Sequence, residues 1–377
     1  MFPIYRSPLL SVNIEVDIEV ESSISHVHAR GLLARLPWVR RMLSLLDGER
    51  VVAHDAHCVY LSTWLPPIPS PAFGRLVRSQ LRAMLGWHTP DQITVSITES
   101  CPNRCAHCAL PDTHRRLSLS LAQMEHIVSQ ALDMGATSIV LDGGEPMLYP
   151  EVEKIPEMVD ERAICTMFTS GSGATRERLE ALARAGLYSV HVSLDSPIEE
   201  EHDAMRGREG VFEEARRCVR YARRAGLLCD IYVVLSRDNV HHLPSFYELA
   251  QRWGAHELSL YEIVPTGRYM HTDRSLGKEG REVLDAFMRH YHEELVHDCS
   301  VRVFSIIHAM DTLGCAAGRR WLHITPSGDV LPCACIPLSY GNVLREELRT
   351  TWRRIRRDGA YNAKACLMRE PAFRERL

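Results

Sequence analysis

The chain has 377 residues, 45% hydrophobic and 24% charged, with a formal net charge of −4. That suits one large α/β domain with smaller appendages and speaks against a dedicated nucleic-acid binder, which is usually basic. Twelve cysteines, with no secretory n- and h-regions and no apolar run of about 18 residues, point to a cytoplasmic protein whose clustered thiols hold metal or do chemistry.

Residues 1–90 form a first region. Val12-Asn13-Ile14-Glu15-Val16-Asp17-Ile18-Glu19-Val20 alternates with the period of a half-buried strand. A helical segment follows near 31–46, then a hairpin near 51–64 and the stretch Pro66-Pro67-Ile68-Pro69. Ser70 reads as an N-cap with Pro71 at the first helical position. It opens a helix to about Leu85, stopped by Gly86. Phe73, Leu76, Val77, Leu81, Met84 and Leu85 share one face of that helix, and the arginines the other.

Residues 91–270 alternate strand and helix. Strands are expected at Ile93–Thr98, Ser138–Leu141, Ala163–Phe168, Ser189–Leu194, Asp230–Leu235 and Glu257–Ile263. Helices are expected near 120–134, 150–160, 175–185, 211–225 and 243–253. Short alternating connections imply a parallel sheet with right-handed crossovers. Six units fall short of a closed eightfold barrel, so an open, partial (β/α)6 barrel is expected. Residues 271–377 carry a helix near 278–294, a hairpin around Pro326-Ser327-Gly328-Asp329 and a basic helix near 346–357.

Directly after the first barrel strand comes Cys101-Pro102-Asn103-Arg104-Cys105-Ala106-His107-Cys108. Three thiolates within eight residues converge only if the loop wraps around something. A structural zinc would take a fourth protein ligand, and none is obvious nearby. Three soft thiolates that leave one iron of a cubane open fit better. Farther on, Gly143-Gly144-Glu145-Pro146 ends the second strand, where glycines let a ligand approach the backbone and Glu145 can accept from an ammonium group. Thr169-Ser170-Gly171 ends the third strand, and Ser193-Leu194-Asp195-Ser196 the fourth, followed by His202 to Gly207.

These motifs resemble the radical S-adenosylmethionine (SAM) superfamily. The resemblance implies a [4Fe–4S] cluster on Cys101, Cys105 and Cys108, with SAM chelating the open iron and yielding a 5′-deoxyadenosyl radical. It implies SAM contacts at His107, Gly143, Gly144, Glu145, Thr169, Ser193 and Arg206, with Ser193 at the ribose and Arg206 at the methionine carboxylate. Ser170 stands where the family often has Asn, and His107 where it usually has an aromatic residue. Asn239 and Pro265-Thr266-Gly267-Arg268 also look like the family but receive no role. All lie at carboxyl ends of strands, the ligand face of parallel sheets. An external one-electron donor of the flavodoxin or ferredoxin type is implied.

Beyond the barrel, Cys315 is followed by twelve residues, Gly328, four more residues and Cys333, with Gly341-Asn342-Val343 after it. This resembles the opening of a SPASM/twitch extension. The closely spaced cysteines of a full SPASM domain are missing, so Cys315, Cys333, Cys335 and Cys366 are expected to hold one auxiliary [4Fe–4S] cluster. The fold expected is thus an N-terminal α/β extension (1–90), a radical SAM barrel (91–270) and a small twitch-like domain (271–377). Cys58, Cys165, Cys218, Cys229 and Cys299 read as ordinary small hydrophobes.

No acid occurs from Ser22 to Leu46 or between Asp55 and Asp91, while Arg30, Arg35, Arg40, Arg41, Arg75, Arg78 and Arg82 do. A basic amphipathic helix ending near Trp87 suits a membrane surface. The favoured substrate is therefore a long-chain lipid, with peripheral membrane contact. The alternatives are a ribosomally made peptide, a small sugar or cofactor precursor, or a bare electron carrier.

Overall fold

Alternating apolar runs and capped helices assemble around one nine-stranded sheet. The structure is a computed structural model that describes residues 2–6, 10–17, 23–110, 116–297 and 300–377. Residues 18–20 of the first expected strand, and Cys299, lie outside these.

In the N-terminal region β1 (Phe2–Arg6), β2 (Ser11–Asp17) and β3 (Ile24–Arg30) pair antiparallel, with β2 central. Ile4, Val12 and Ile14 pack with Val59, Leu61 and Phe73 in a small core of their own. The helix expected over 31–46 is divided: a 3-10 turn at Leu32–Arg35 precedes α1 (Pro37–Leu43). Pro37 lacks the N–H that would continue one ladder. The hairpin β4 (Ala53–His54) and β5 (Val59–Tyr60) and helix α2 (Pro71–Met84) follow. Ser70 caps α2 as expected, its Oγ accepting from Phe73 N at 3.0 Å. Arg75 departs from the solvent-facing row, since its Nη2 donates to Leu132 O at 2.6 Å.

The strands β6 (Gln92–Thr98), β7 (Ser138–Gly143), β8 (Ile164–Thr169), β9 (Leu187–Ser193), β10 (Leu228–Leu235) and β11 (Glu257–Glu262) are the six expected. The sheet does not stop there. Beside β11 lies β12 (Arg302–Ser305), beside β6 lies β13 (Trp321–Ile324), and both run parallel to their neighbours. The antiparallel β14 (Val330–Leu331) completes the order β12-β11-β10-β9-β8-β7-β6-β13-β14. The hydrogen-bonded ladder thus runs past residue 270, where the sequence suggested a domain boundary. The partial barrel stands, extended by one parallel strand on each flank.

Helices α3 (Leu121–Met134), α4 (Arg176–Arg184), α5 (Glu199–Arg206), α6 (Val211–Arg224), α7 (Leu243–Trp253), α8 (Gly277–His290) and α9 (Ile306–Leu313) follow in chain order, then α10 (Leu348–Arg357) and α11 (Pro371–Arg374). A capping box of Ser120 with Gln123 starts α3, and Gly135, with φ of 113°, ends it. The helix expected near 150–160 is instead a set of 3-10 turns, the first at Pro146–Leu148 and the last at Pro156–Met158. Pro150 and Pro156 break any longer ladder.

Ser62–Leu65 stoppers the amino end of the barrel. Ser62 Oγ donates to Glu257 at 3.1 Å, and Ser189 Oγ donates to Thr63 O at 2.8 Å. Trp64 Nε1 donates to Ser259 Oγ at 2.9 Å, and its ring stacks on His191 with centroids 3.7 Å apart. His191 in turn meets Asp230 at 2.5 Å, both fully buried. Arg302 bridges Glu49 and Glu257, joining the N-terminal region to this layer. Trp64→Ala should cost about 3 kcal/mol of stability, read as a lower denaturation midpoint; an unchanged midpoint would remove Trp64 from the fold's support.

Candidate functional site

The β6–α3 loop lies over the carboxyl end of the sheet and is clamped from two sides. On one side Arg104 N and Ala106 N donate to Arg206 O and Met205 O at 2.8 and 2.9 Å. On the other, Arg268 N donates to Cys108 O at 3.1 Å and Arg268 Nη1 to Cys105 O at 2.9 Å. The loop therefore turns Cys101, Cys105 and Cys108, all half-buried, toward one another. Cys105 and Cys108 both act on the ionisation of Cys101, whose thiol burial pushes up to about 11. Burial also raises Cys105, opposed by the Arg206 guanidinium, whose Nη1 lies 3.8 Å from its sulfur. A deprotonated, metal-bound thiolate would remove that cost.

Arg206 is buried and ion-paired with Asp195, Nε to Oδ2 at 2.7 Å. Burial works against the charge of Asp195, but Arg206, His107 and His202 outweigh it and hold the carboxyl below its usual range. His107 Nε2 stands 3.7 Å from Asp195 Oδ1, and burial lowers its pKa. Asn239 Nδ2 donates to Asp195 O at 3.0 Å. A cavity of about 270 Å³ opens here, lined by His107, Asp195, Met205, Asn239 and Tyr269 among others. Asp195 was visible only as a letter in a motif; its role as the hub of this cavity needs the fold of β9 against α5.

Glu145 is held from several sides. Its fully buried carboxylate accepts from Thr169 Oγ1 at 2.7 Å, from Ser170 N and Oγ at 2.8 and 2.5 Å, and from Met147 N at 3.1 Å. All four of these bonds come from within the chain, and they tie Glu145 to the end of β8. Thr169 is likewise occupied, tying Glu145 to Gly171 N. Ser193 sits half-buried at the end of β9. Gly143 and Gly144 cross the cluster loop so closely that added Cβ atoms would fall 2.3 Å from Thr98 O and 2.5 Å from Ser100 O.

The four later cysteines also come together. Cys315 N donates to Lys364 O at 2.9 Å, drawing the 366 segment to the hairpin. Cys335 donates to Cys333, which lowers the Cys333 pKa and raises that of Cys335. Burial pushes Cys366 to about 12, with Cys315 and Cys333 adding to the shift. Arg369 pairs with Glu262 at 2.5 Å, pinning this group to the rim of β11. Of the remaining thiols, Cys165, Cys218 and Cys229 are buried apolar filling, while Cys58 is half-buried.

Among the described residues no three His, Cys, Asp or Glu side chains close on a single ion. The donors fit a larger soft group. Three thiols ring one loop beside a buried guanidinium, and four more gather beside the β13–β14 hairpin. Residues 95–250 match the family model of the radical SAM superfamily, and residues 315–367 that of the iron–sulfur cluster-binding SPASM domain.

The chain belongs to the radical SAM superfamily.

Its cofactors are accordingly a [4Fe–4S] cluster and SAM, with auxiliary iron–sulfur from the SPASM domain. This radical SAM enzyme is 28% identical over 288 residues to the AdoMet-dependent heme synthase of Nitratidesulfovibrio vulgaris, covering 70% of this chain and 78% of that one. It is 29% identical over 280 residues to the PqqA peptide cyclase of Methylocella silvestris, covering 70% and 74%. Among solved structures, Streptococcus suis SuiB bound to precursor peptide SuiA superposes with a TM-score of 0.62 at 16% identity, over 76% of this chain and 70% of that one. That likeness concerns the fold.

Proposed function

We propose that this radical SAM enzyme matures a ribosomally made peptide. The observation that carries this reading is an arginine-lined groove in the N-terminal region. Ser25 N and Val27 N turn away from β2, toward Glu49 O and Asp47 Oδ1. Antiparallel alternation gives Ala29 the same outward orientation. There a groove of about 740 Å³ opens between β3 and α1, lined by Ala29, Arg30, Leu32, Arg35, Arg40 and Leu43. An acidic peptide segment laid in this groove would meet Arg30, Arg35 and Arg40. The PqqA peptide cyclases and the SuiA-bound SuiB supply the parallel in peptide chemistry.

In this reading Cys101, Cys105 and Cys108 hold the SAM cluster, and Cys315, Cys333, Cys335 and Cys366 the auxiliary one. When bound and reduced by an external flavodoxin- or ferredoxin-type donor, the first cluster supplies reductive cleavage of SAM to a 5′-deoxyadenosyl radical. The chain's part is to orient and to exclude water. Arg206 offsets thiolate charge and holds Asp195, which borders the cavity beside His107; Ser193 ends β9 two residues before Asp195. Glu145 and Thr169 fix the end of β8, and Gly143 and Gly144 let the nucleotide approach the backbone.

The lipid reading has less support. Leu85 and Trp87 are 71% and 67% exposed, but they precede β6, whereas the cluster loop follows it. One strand, roughly 20 Å, and the Ser62–Leu65 stopper separate them. Among the described residues no helix is long and apolar enough to cross a membrane. A small-molecule substrate is the second reading, favoured by the likeness to heme synthases.

The test is anaerobic reconstitution. About eight irons per chain and 5′-deoxyadenosine from SAM and dithionite are expected, with a mass change in a synthetic peptide encoded beside the gene. Turnover of a cofactor precursor with every such peptide unchanged would shift the assignment to the second reading.

A further inference from the structure

Strand alternation sorts the side chains at the carboxyl end of the sheet. Asp142, Phe168, Tyr232, Tyr261 and Phe304 are each half-buried. Their neighbours Leu141, Met167, Val233, Leu260 and Val303 are buried. The first set therefore lines an open inner chamber. Phe168 meets Tyr232 edge-on at 4.8 Å, Tyr232 meets Tyr261 at 4.5 Å, and Tyr261 meets Phe304 at 6.5 Å. Trp64 lies within 5.6 to 6.2 Å of Phe168, Tyr232 and Tyr261 and forms the floor.

The chamber's charge is one-sided. The Asp142 carboxyl accepts from the Gly143 backbone, and among the described residues no side chain is bonded to it. Burial pushes it to about 6, so it is ionised at neutral pH. After burial, the groups acting most on the Tyr232 hydroxyl are Tyr261, Cys335, Asp142 and Asp230, none of them a cation. Arg302 lies beside the Phe304 ring at 5.5 Å but is engaged by Glu49 and Glu257. Asp142 directly precedes Gly143-Gly144, and Cys335 acts on Tyr232 from the second cysteine group. The space between the two cysteine groups thus combines aromatic faces with an uncompensated carboxylate. Aromatic faces and a carboxylate both attract a desolvated cation.

We infer that this chamber seats a cationic side chain of the substrate, an ammonium or guanidinium, against the aromatic arc with Asp142 as its counter-ion. The inference rests on the peptide reading and names the residue class that reaches the reaction chamber. A neutral or anionic group there would close the chamber over Asp142 without a counter-charge.

Capped, fluorescein-labelled pentapeptides with lysine or glutamine at the centre of four glycines provide the probe, with binding to the SAM-loaded holoenzyme followed by anisotropy. The lysine peptide should bind about tenfold tighter. Asp142→Asn should shrink the ratio below about twofold, and Asp142→Glu should keep the preference. Iron content and near-UV circular dichroism report that each variant is folded. Equal or undetectable binding of the two peptides to the natural chain, or a preference that survives Asp142→Asn, overturns the proposal. The mass-change assay separates the two ideas: modified peptide without lysine preference sinks the cation seat alone, and lysine preference without any modified peptide sinks the peptide reading.

Discussion

Cys105→Ala should reduce 5′-deoxyadenosine formation below detection, and Cys333→Ala should not. Cys105 is the thiol nearest the buried Arg206, at 3.8 Å from Nη1. On the proposed ligand set, its removal would take one of three donors from a cluster with no fourth protein ligand to spare. Iron should fall from about eight to about four per chain. Cys333 lies in the group pinned to β11 by Arg369 and Glu262, and no cysteine of that group is among those acting on Cys101. Its loss should also remove about four irons, yet leave SAM cleavage running without modified product. Cys105 is only half-buried, so its removal should change stability by less than about 1 kcal/mol. Chromatography of the nucleoside beside an iron assay decides the matter. Identical loss of nucleoside in both variants would undo the division of labour between the two sites.

Gly267→Ala carries the second large effect. Gly267 has φ of 50°, and an added Cβ would fall 2.2 Å from Cys108 O and 2.6 Å from Ala109 Cα. Both are backbone atoms, so the loop itself must move. The same turn supplies both Arg268 bonds to the carbonyls of Cys105 and Cys108. Displacing it by 1 Å would misplace two of the three donors, and cluster ligands tolerate only a few tenths of an ångström. At least about tenfold faster iron loss to a chelator and about a hundredfold less 5′-deoxyadenosine are expected. Gly186→Ala is the control: φ is 93° and nothing lies within 4 Å of the added Cβ. It should cost only about 1 kcal/mol of backbone strain and keep its iron. Equal iron retention in the two variants would show that the turn does not hold the loop.

Much of this was legible in the linear chain because its signals are local. The apolar runs of β6 to β11 and the Ser70-Pro71 start of α2 depend on neighbours in sequence, and the C-x3-C-x2-C spacing names its own chemistry. The missed features depend on distant partners. Arg302–Ser305 is too short to stand out and becomes a strand only because β11 offers an edge, while Trp321–Ile324 is an arm of the expected hairpin whose pairing with β6 no local signal announces. Glu145 stands alone in a motif, and only the approach of Thr169 and Ser170 ties it to the end of β8. Arg75 belongs to a basic row by spacing, yet α3 lies close enough to claim it. Asp142 is one acid among 48 acidic residues until strand parity turns it inward.

The Ser62–Leu65 segment also dictates traffic. With its base corked, the barrel admits nothing from the amino side, so both reactants must come and go on the side where the cluster loop lies.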